Sequence, residues 1–234
     1  MDAERQGAGA VPAGPDFDDT QAATGSVIAR LLKSPGSLAA QIAVGRGLWT
    51  CGLRLLLWGL FCHALYGVAM ALFGGVGAAA MTLVKAPCIA LSSILLCMPS
   101  LYVFSAVGGE PLTLAQAFAV GAAIVAMIGL LLLGLAPVAW LFAVSTNSSA
   151  FTVLFSLLAW IVAVGFACRF VNQFRAVPAF KRTAGLKWWL LVYVLVSLQM
   201  VTTQRPLLER PEQGWYRAEK QFFLAHFFES FGED

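Results

Sequence analysis

The chain has 234 residues, of which 59% are hydrophobic and only 12% are charged, and its formal net charge is +3. Soluble globular domains carry about 25% charged residues, so this composition, with a mean hydropathy of +0.79, predicts a membrane protein. The small and scattered positive charge does not indicate nucleic-acid binding. The apolar runs are continuous rather than alternating, which favours helices over a β-barrel.

The first fifty residues contain no membrane-spanning run. Residues 1–25 are rich in Ala, Gly, Pro and Asp, and we predict a disordered tail. Residues 26–50 have apolar positions at helical spacing, and Ser34-Pro35 is typical of a helix N-terminus. We predict an amphipathic interfacial segment here, while docking on the transmembrane bundle is an alternative that the sequence leaves open. The basic residues expected to face anionic lipid are Arg30, Lys33 and Arg46.

Five apolar runs follow, and they predict an all-α, five-helix transmembrane bundle over residues 51–204. The predicted spans are about 53–73, 87–107, 114–144, 151–170 and 186–201. The third run is long for one bilayer crossing, since about 30 residues at ~1.5 Å each give about 45 Å against a ~30 Å hydrocarbon core. Pro137 therefore predicts either one kinked, tilted helix or a helix that stops near Leu135 before an interfacial turn.

The fifth predicted span begins with Trp188-Trp189, which is typical of aromatic anchors at the membrane interface. Residues 205–234 carry aromatic side chains at helical spacing, and we predict an amphipathic tail that lies on the membrane or caps the bundle. Ten of the 15 Lys and Arg residues fall on the N-terminal side of such a bundle. The positive-inside rule then places the N-terminus in the cytoplasm and, with five spans, the C-terminus outside.

Motifs for catalysis are missing from the sequence. It has no H-E-x-x-H zinc pattern, no G-x-S-x-G nucleophile turn, no phosphate-binding loop and no dinucleotide glycine pattern. No Asp or Glu lies within a predicted span, whereas ion-coupled transporters usually place acids there. The five cysteines include no C-x-x-C pair, and we interpret them as packing residues. The sequence therefore predicts no catalytic residue, no cofactor and no metal site.

Six residues remain as structural or functional candidates. His63 is the one imidazole in a span, and we favour a structural hydrogen bond because no span supplies an acidic partner. Lys85, at the start of the second span, either reaches to the interface or binds a lipid headgroup. The others belong to the hairpin of residues 85–142 and are Pro87, Pro99, Tyr102 and Pro137. Broken helices line substrate cavities in some transporters, while kinked packing is the simpler interpretation.

Several short motifs occur in an order that resembles the Yip1-like membrane proteins, and in particular their bacterial relatives. In chain order the motifs are Ser34-Pro35 with Leu38, Ile42 and Gly45, then Leu65-Tyr66-Gly67, Lys85-Ala86-Pro87, Pro99 to Phe104, Leu135-Ala136-Pro137, and Gln199-Met200 through Arg205-Pro206. The resemblance covers about residues 34–206 and implies a cytoplasmic N-terminal segment followed by five clustered spans.

The resemblance implies no catalytic residue. Eukaryotic members of the family bind small GTPases and act in vesicle traffic. A bacterial cell has no such traffic, and the aromatic C-terminal tail departs from the family, so that role is not carried over.

We therefore expect a non-enzymatic integral membrane protein that organises or adapts other membrane components in the inner (cytoplasmic) membrane of a bacterium. Its expected partners are the lipid bilayer and either another membrane protein or a second copy of the chain, with no nucleic acid. The alternative is a small transporter or permease subunit that uses the proline-broken hairpin 85–142. An intramembrane enzyme is a third hypothesis, which the missing catalytic motifs disfavour.

Overall fold

Seven α-helices contain almost all of the residues that the computed structural model describes, which are residues 24–71, 76–109, 112–145, 149–174 and 184–203. In chain order the helices are α1 Thr24–Lys33, α2 Pro35–Val44, α3 Leu48–Ala71, α4 Val76–Val107, α5 Leu114–Ser145, α6 Ser149–Gln173 and α7 Ala184–Thr203. These ranges contain no β-strand. The predicted all-α class is confirmed for this part of the chain. The predictions for residues 1–23 and 204–234 lie outside it.

Four of the helices contain segments that are long and apolar enough to cross a membrane. These segments are Leu48–Ala71, Ala79–Val107, Leu114–Phe142 and Leu154–Gln173. They indicate a membrane-embedded, multi-pass protein, because a ~30 Å hydrocarbon core needs about 20 apolar helical residues. The apolar segment of α7, Gly185–Met200, is shorter. Length and composition therefore establish four candidate spans of the five that the sequence predicted.

Two of the helices extend past prolines at which the sequence predicted that a span could begin or end. α4 begins at Val76, well before the predicted start at Pro87, because the alanine-rich turns in front of Pro87 favour helix. α5 continues through Pro137 to Ser145, so it does not stop near Leu135. Proline is tolerated inside membrane helices because neighbouring groups take up the backbone carbonyls that it frees. The long third run is therefore one helix.

Helix α5 is the axis of the bundle. All residues from 119 to 129 are buried, so three turns of α5 are covered on every face, which is the pattern of a helix enclosed by others. α3 makes the most extensive contact with α5, and α6, α4, α2 and α1 contact it as well. α7 packs mainly against α4. The hairpin of residues 85–142 thus contributes the central helix, whose closest partner is α3 and not the other arm of the hairpin.

Glycines allow α3 to approach α5 closely. A Cβ added at Gly59 would lie 2.8 Å from the backbone nitrogen of Ala126 and 2.9 Å from its Cα. A Cβ added at Gly129 would lie 2.7 Å from the carbonyl oxygen of Gly59. Real Cβ atoms do not come this close to backbone, so only glycine fits at the two positions. Close backbone contact through small residues is a common way for helices to associate in membranes.

Helices α1 and α2 pack over one end of the bundle, where α3, α5 and α7 begin and α4 and α6 end. Leu31 of α1 and Leu38 of α2 are fully buried there, and both helices contact α5. The segment of residues 26–50 therefore docks on the bundle, which is the alternative that the sequence left open. Most basic residues of the described ranges belong to this end, which we call the basic end, and they are Arg30, Lys33, Arg46, Arg54, Arg169 and Lys187.

Candidate functional site

The six candidate residues from the sequence are spread over three helices. His63 lies on α3, Pro137 lies on α5, and the other four lie on α4. Lys85 and Tyr102 are 17 positions apart on α4, which is about 26 Å at ~1.5 Å per residue, so they are near opposite ends of the bundle. The six residues therefore do not form a single site.

His63 makes a local hydrogen bond inside the bundle. Its Nδ1 lies 2.8 Å from the carbonyl oxygen of Gly59, one turn earlier on α3. A carbonyl oxygen only accepts, so Nδ1 carries the proton and donates. The ring also fills the space beside Gly129, where an added Cβ would lie 2.7 Å from Nδ1. This geometry corresponds to the structural hydrogen bond that the sequence favoured, at the crossing of α3 and α5.

The prolines of the hairpin lie towards the outside of the bundle. Pro99 and Pro137 are exposed, and Pro87 is half-buried. Each proline lacks the N–H that would bond to the carbonyl four residues earlier, so each modifies the course of its helix. Exposed rings of this kind shape a helix without lining an interior path. Tyr102 is exposed as well, one turn after Pro99, and Lys85 is half-buried near the start of α4.

A buried hydrogen bond attaches α7 to α4. Trp189 Nε1 donates to the carbonyl oxygen of Cys97 at 2.8 Å, and Tyr193 stacks on the Trp189 ring with 5.6 Å between centroids. The prediction that Trp188 and Trp189 are both interfacial anchors is therefore wrong for Trp189, which is fully buried, while Trp188 is exposed. The two rings differ because neighbouring residues of a helix point about 100° apart, and only one of them faces α4.

A second hydrogen bond joins α3 to α6. The Tyr66 hydroxyl lies 3.1 Å from Ser156 Oγ, and either group can donate. The two residues are 90 positions apart in the chain, so nothing local in the sequence predicts their contact. Like the bond from Trp189, this one ties a peripheral helix to the bundle, and both have the geometry of structural cross-links.

Gln116 connects α5 to α2 at the basic end. Its Oε1 accepts from the Thr113 backbone N–H at 2.9 Å, while its own backbone N–H donates to Thr113 Oγ1 at 3.3 Å. This reciprocal pair is a capping box, which satisfies donors at the start of a helix. Its Nε2 also donates to the carbonyls of Ile42 and Ala43, both at 3.2 Å. One side chain thus caps α5 and holds the last turn of α2.

Arg30 is held in a fixed orientation between α1 and α2. Its Nη1 donates to Gln41 Oε1 at 3.0 Å, while its Nε is buried and has no hydrogen-bond partner. Arg54 follows Cys51 by three positions on α3, so their side chains share one face of that helix. No Asp or Glu occurs anywhere in the described ranges.

The potential metal ligands and nucleophiles are dispersed. No three His, Cys, Asp or Glu side chains come together in the described part of the chain. All five cysteines are free thiols, of which Cys51, Cys62 and Cys97 are buried and Cys88 and Cys168 are exposed. Cys51 and Cys97 belong to the buried hydrophobic core, as small apolar residues do.

Sequence reasoning did not identify Gln116, Gln41 or the specific role of Arg30. The Thr-x-x-Gln pattern before α5 is a capping-box signal, and it was available from the sequence. The contact of Gln116 with α2 depends on tertiary packing, and so does the bond between Arg30 and Gln41 across a turn. Six of the seven Lys and Arg residues in the described ranges lie at the basic end, so charge is concentrated there and not in the hairpin.

Comparison of the chain with family models, with curated proteins and with solved structures finds no match.

Proposed function

We propose that this chain is a non-enzymatic, multi-pass membrane protein of the Yip1-like type, which organises or adapts other components of a bacterial inner membrane. The observation that carries the proposal is the closed interior around α5. Residues 119–129 are buried on all sides, and they are Ala, Val, Ile, Met and Gly. The side chains of residues 119–129 offer neither a polar path nor a reactive group, which favours the outer faces and the basic end as the functional surfaces.

The permease alternative has less support from the geometry. It requires the proline-broken hairpin to line a path, but Pro99 and Pro137 are exposed on the outside of their helices. The contact of α3 with α5 is tight at Gly59 and Gly129, where backbone meets backbone. A route along α5 would need these contacts to open.

We further propose that α7 is a fifth span and that the basic end faces the cytoplasm. α7 has 20 residues, which is about 30 Å at ~1.5 Å per residue and equals the usual hydrocarbon thickness. Lys187 and Trp188 near its start are exposed, as interfacial residues are. Six of the seven Lys and Arg residues in the described ranges belong to the basic end, and the positive-inside rule assigns such an end to the cytoplasm. The C-terminus is then outside.

Two single-cysteine variants test this topology, built in a chain whose own five cysteines are replaced by alanine or serine. Lys33→Cys lies at the basic end, and Gly77→Cys lies at the opposite end, where an added Cβ meets nothing within 4 Å. In intact cells a membrane-impermeant maleimide is expected to label Gly77→Cys, and to label Lys33→Cys only after permeabilisation. A C-terminal tag should be accessible in intact cells, as Gly77→Cys is. If the tag is accessible only after permeabilisation, as Lys33→Cys is expected to be, the fifth span is refuted.

Crosslinking in native membranes, followed by purification in a mild detergent, tests the organising role. We expect a specific membrane protein, a second copy of the chain or a defined lipid class to crosslink to the outer faces of α3, α4 or α6. An unrelated multi-pass protein of the same membrane, expressed at the same level, is the control. Recovery of the chain alone, with neither partner nor bound lipid, would contradict the proposal.

A further inference from the structure

Helices α1 and α2 form a unit with its own internal contacts, and we call this unit, residues 24–44, the N-terminal arm. Only Ser34 separates the two helices. Arg30 Nη1 of α1 donates to Gln41 Oε1 of α2 at 3.0 Å. The Ser37 hydroxyl, in the first turn of α2, donates to the Ser34 carbonyl at 2.8 Å. None of these bonds involves the bundle, so the arm keeps them wherever it lies.

The connection between the arm and α3 has a glycine on each side of Arg46. Gly45 has a φ of 85° and Gly47 has a φ of 60°, in the left-handed region that glycine adopts readily. A Cβ added at either glycine would meet nothing within 4 Å, so the connection is not packed against another helix at these positions. The orientation of the arm is therefore set by the contacts of the arm itself and not by its connection to α3.

The arm has apolar side chains on two faces. The buried ones, which face the bundle, include Val27, Leu31, Leu38 and Ile42. On the outer face, Leu32 is 50% exposed and Val44 is 61% exposed. Exposed cations lie close to both in the chain, Lys33 beside Leu32 and Arg46 two residues after Val44. Exposed apolar residues next to cations are typical of helices that lie in the headgroup region of an anionic bilayer.

Gln116 of α5 provides polar contacts that hold the arm on the bundle. Its Nε2 donates to the carbonyls of Ile42 and Ala43, both at 3.2 Å. These carbonyls belong to the last turn of α2, where a helix supplies no partner of its own. The same side chain caps α5 through its Oε1, which accepts from the Thr113 backbone N–H. The start of α5 therefore remains capped when the arm leaves.

A bilayer beside the basic end brings two positions of the arm closer in free energy. In water, the buried apolar face would keep the arm on the bundle. Next to a bilayer, that face can be buried at the boundary of headgroups and acyl chains instead, so undocking does not expose it to water. Polar contacts then decide between the positions. The bonds of Gln116 favour docking, while the attraction of Lys33 and Arg46 to anionic lipid favours the membrane.

We propose that the N-terminal arm is a hinged lid on the basic end of the bundle. In one position it is docked and contacts α3, α5 and α6. In the other it turns about Gly45 and Gly47, lies in the headgroup region of an anionic leaflet, and uncovers the ends of those three helices. This inference rests on the proposed membrane function, and it adds a surface that anionic lipid makes accessible to a partner.

Pulsed EPR distances between two spin labels test the lid. The labels are attached at Ser34→Cys on the arm and Asn172→Cys on α6, both exposed positions, in a full chain whose own cysteines are replaced. The docked distance is short, because a Cβ added at Gly36 would lie 3.6 Å from Gln173 Oε1. In nanodiscs we expect this distance and a longer one, and the longer one should gain population when phosphatidylglycerol replaces part of the phosphatidylcholine.

Variants of the two opposing polar contacts should shift the populations in opposite directions. Lys33→Gln and Arg46→Gln should each lower the ratio of undocked to docked arm about fivefold in phosphatidylglycerol, which is the usual effect of one basic residue at an anionic surface. Gln116→Leu should raise the ratio about fivefold or more, because it removes two hydrogen bonds to α2. Thr113→Ala is its control, since it changes the α5 cap and leaves Gln116 its bonds to α2. It should change the ratio less than twofold.

A pair of labels at Thr50→Cys and Asn172→Cys is the control for the bundle, and it should give one distance in both lipids. A single distance for the arm pair in both lipids would overturn the inference. Equal populations in the two lipids, or an unchanged ratio in Gln116→Leu, would overturn it as well. The EPR measurement needs no partner, so its failure would leave the crosslinking test of the organising role unaffected. Two distances without specific crosslinks would instead contradict the organising role alone.

Discussion

The contact of Gly59 with α5 gives the sharpest test of the fold. In Gly59→Ala, the new methyl group would lie 2.8 Å from Ala126 N, 2.9 Å from Ala126 Cα and 3.0 Å from the carbonyl carbon of Val125. All three atoms are backbone, so no rotamer change relieves the overlap. Ordinary contact begins near 3.4 Å, and α3 and α5 must therefore separate locally by about 0.6 Å (3.4 − 2.8). That separation also strains the neighbouring contact between His63 and Gly129.

The expected cost follows from two opposing effects. Forcing an extra carbon into a packed core costs about 1–3 kcal/mol, whereas alanine is favoured over glycine within a helix by about 0.5–1 kcal/mol. The difference between these two ranges is about 0–2.5 kcal/mol of unfolding free energy, with a middle value of about 1.3 kcal/mol. For a chain of this size each kcal/mol lowers the melting temperature by about 2–4 °C, so at the middle value Gly59→Ala should melt about 3–5 °C below the wild type.

Gly165→Ala is the matched control, because an added Cβ at Gly165 on α6 meets nothing within 4 Å. This variant has the same gain in helix preference without the overlap, so it should melt at or slightly above the wild-type temperature. Thermal unfolding of the three purified proteins in one detergent, followed by tryptophan fluorescence, makes the comparison. Equal melting temperatures for Gly59→Ala and Gly165→Ala would refute the close packing of α3 on α5.

Three further predictions concern hydrogen bonds between helices. Trp189→Phe removes the donor to the Cys97 carbonyl and should cost about 1 kcal/mol of unfolding free energy, measured by the same thermal assay. Tyr66→Phe and Ser156→Ala should each cost about 0.6 kcal/mol, and the double variant should cost no more than either single one, since they share one bond. Gln116→Glu keeps the acceptor for the α5 cap but loses the amide donors to α2, so hydrogen exchange should become faster in α2 and stay slow in the first turn of α5.

The long apolar runs were sufficient to predict a helical membrane protein, because a bilayer selects for length and hydrophobicity, and both are visible in a sequence. Helix ends were less predictable. The sequence predicts a second span that begins at Pro87, yet alanine continues a helix well, and α4 begins at Val76. The effect of Pro137 was also open in the sequence, because the groups that take up a freed carbonyl come from neighbouring helices.

The candidate site could be predicted only in part. The sequence predicts that Arg30 is one of the basic residues at the membrane interface, but it does not predict the bond to Gln41, because that bond joins two helices across a turn. The prolines and glycines of the hairpin interrupt an apolar pattern, so they are conspicuous in the sequence. Proline and glycine show where the backbone can bend, whereas hydrogen bonds between side chains of different helices depend on tertiary packing. The sequence therefore predicts a candidate site in the hairpin, and the structure shows the contacts of Arg30 and Gln116 at the basic end.

The arrangement of side chains by size is a separate indication that the bundle lies in a membrane. In the middle of the bundle the buried positions of α5 are mainly Ala, Val, Ile and Gly, whereas Leu57 and Phe61 on α3 are more than half exposed. Water would drive such large apolar side chains inwards. In lipid, burial of Leu or Phe provides no such gain, and close approach through small residues becomes the dominant attraction. Leu57→Ala, which removes three carbons from the outer face, should therefore lower the melting temperature less than Gly59→Ala, which adds one carbon to the interior.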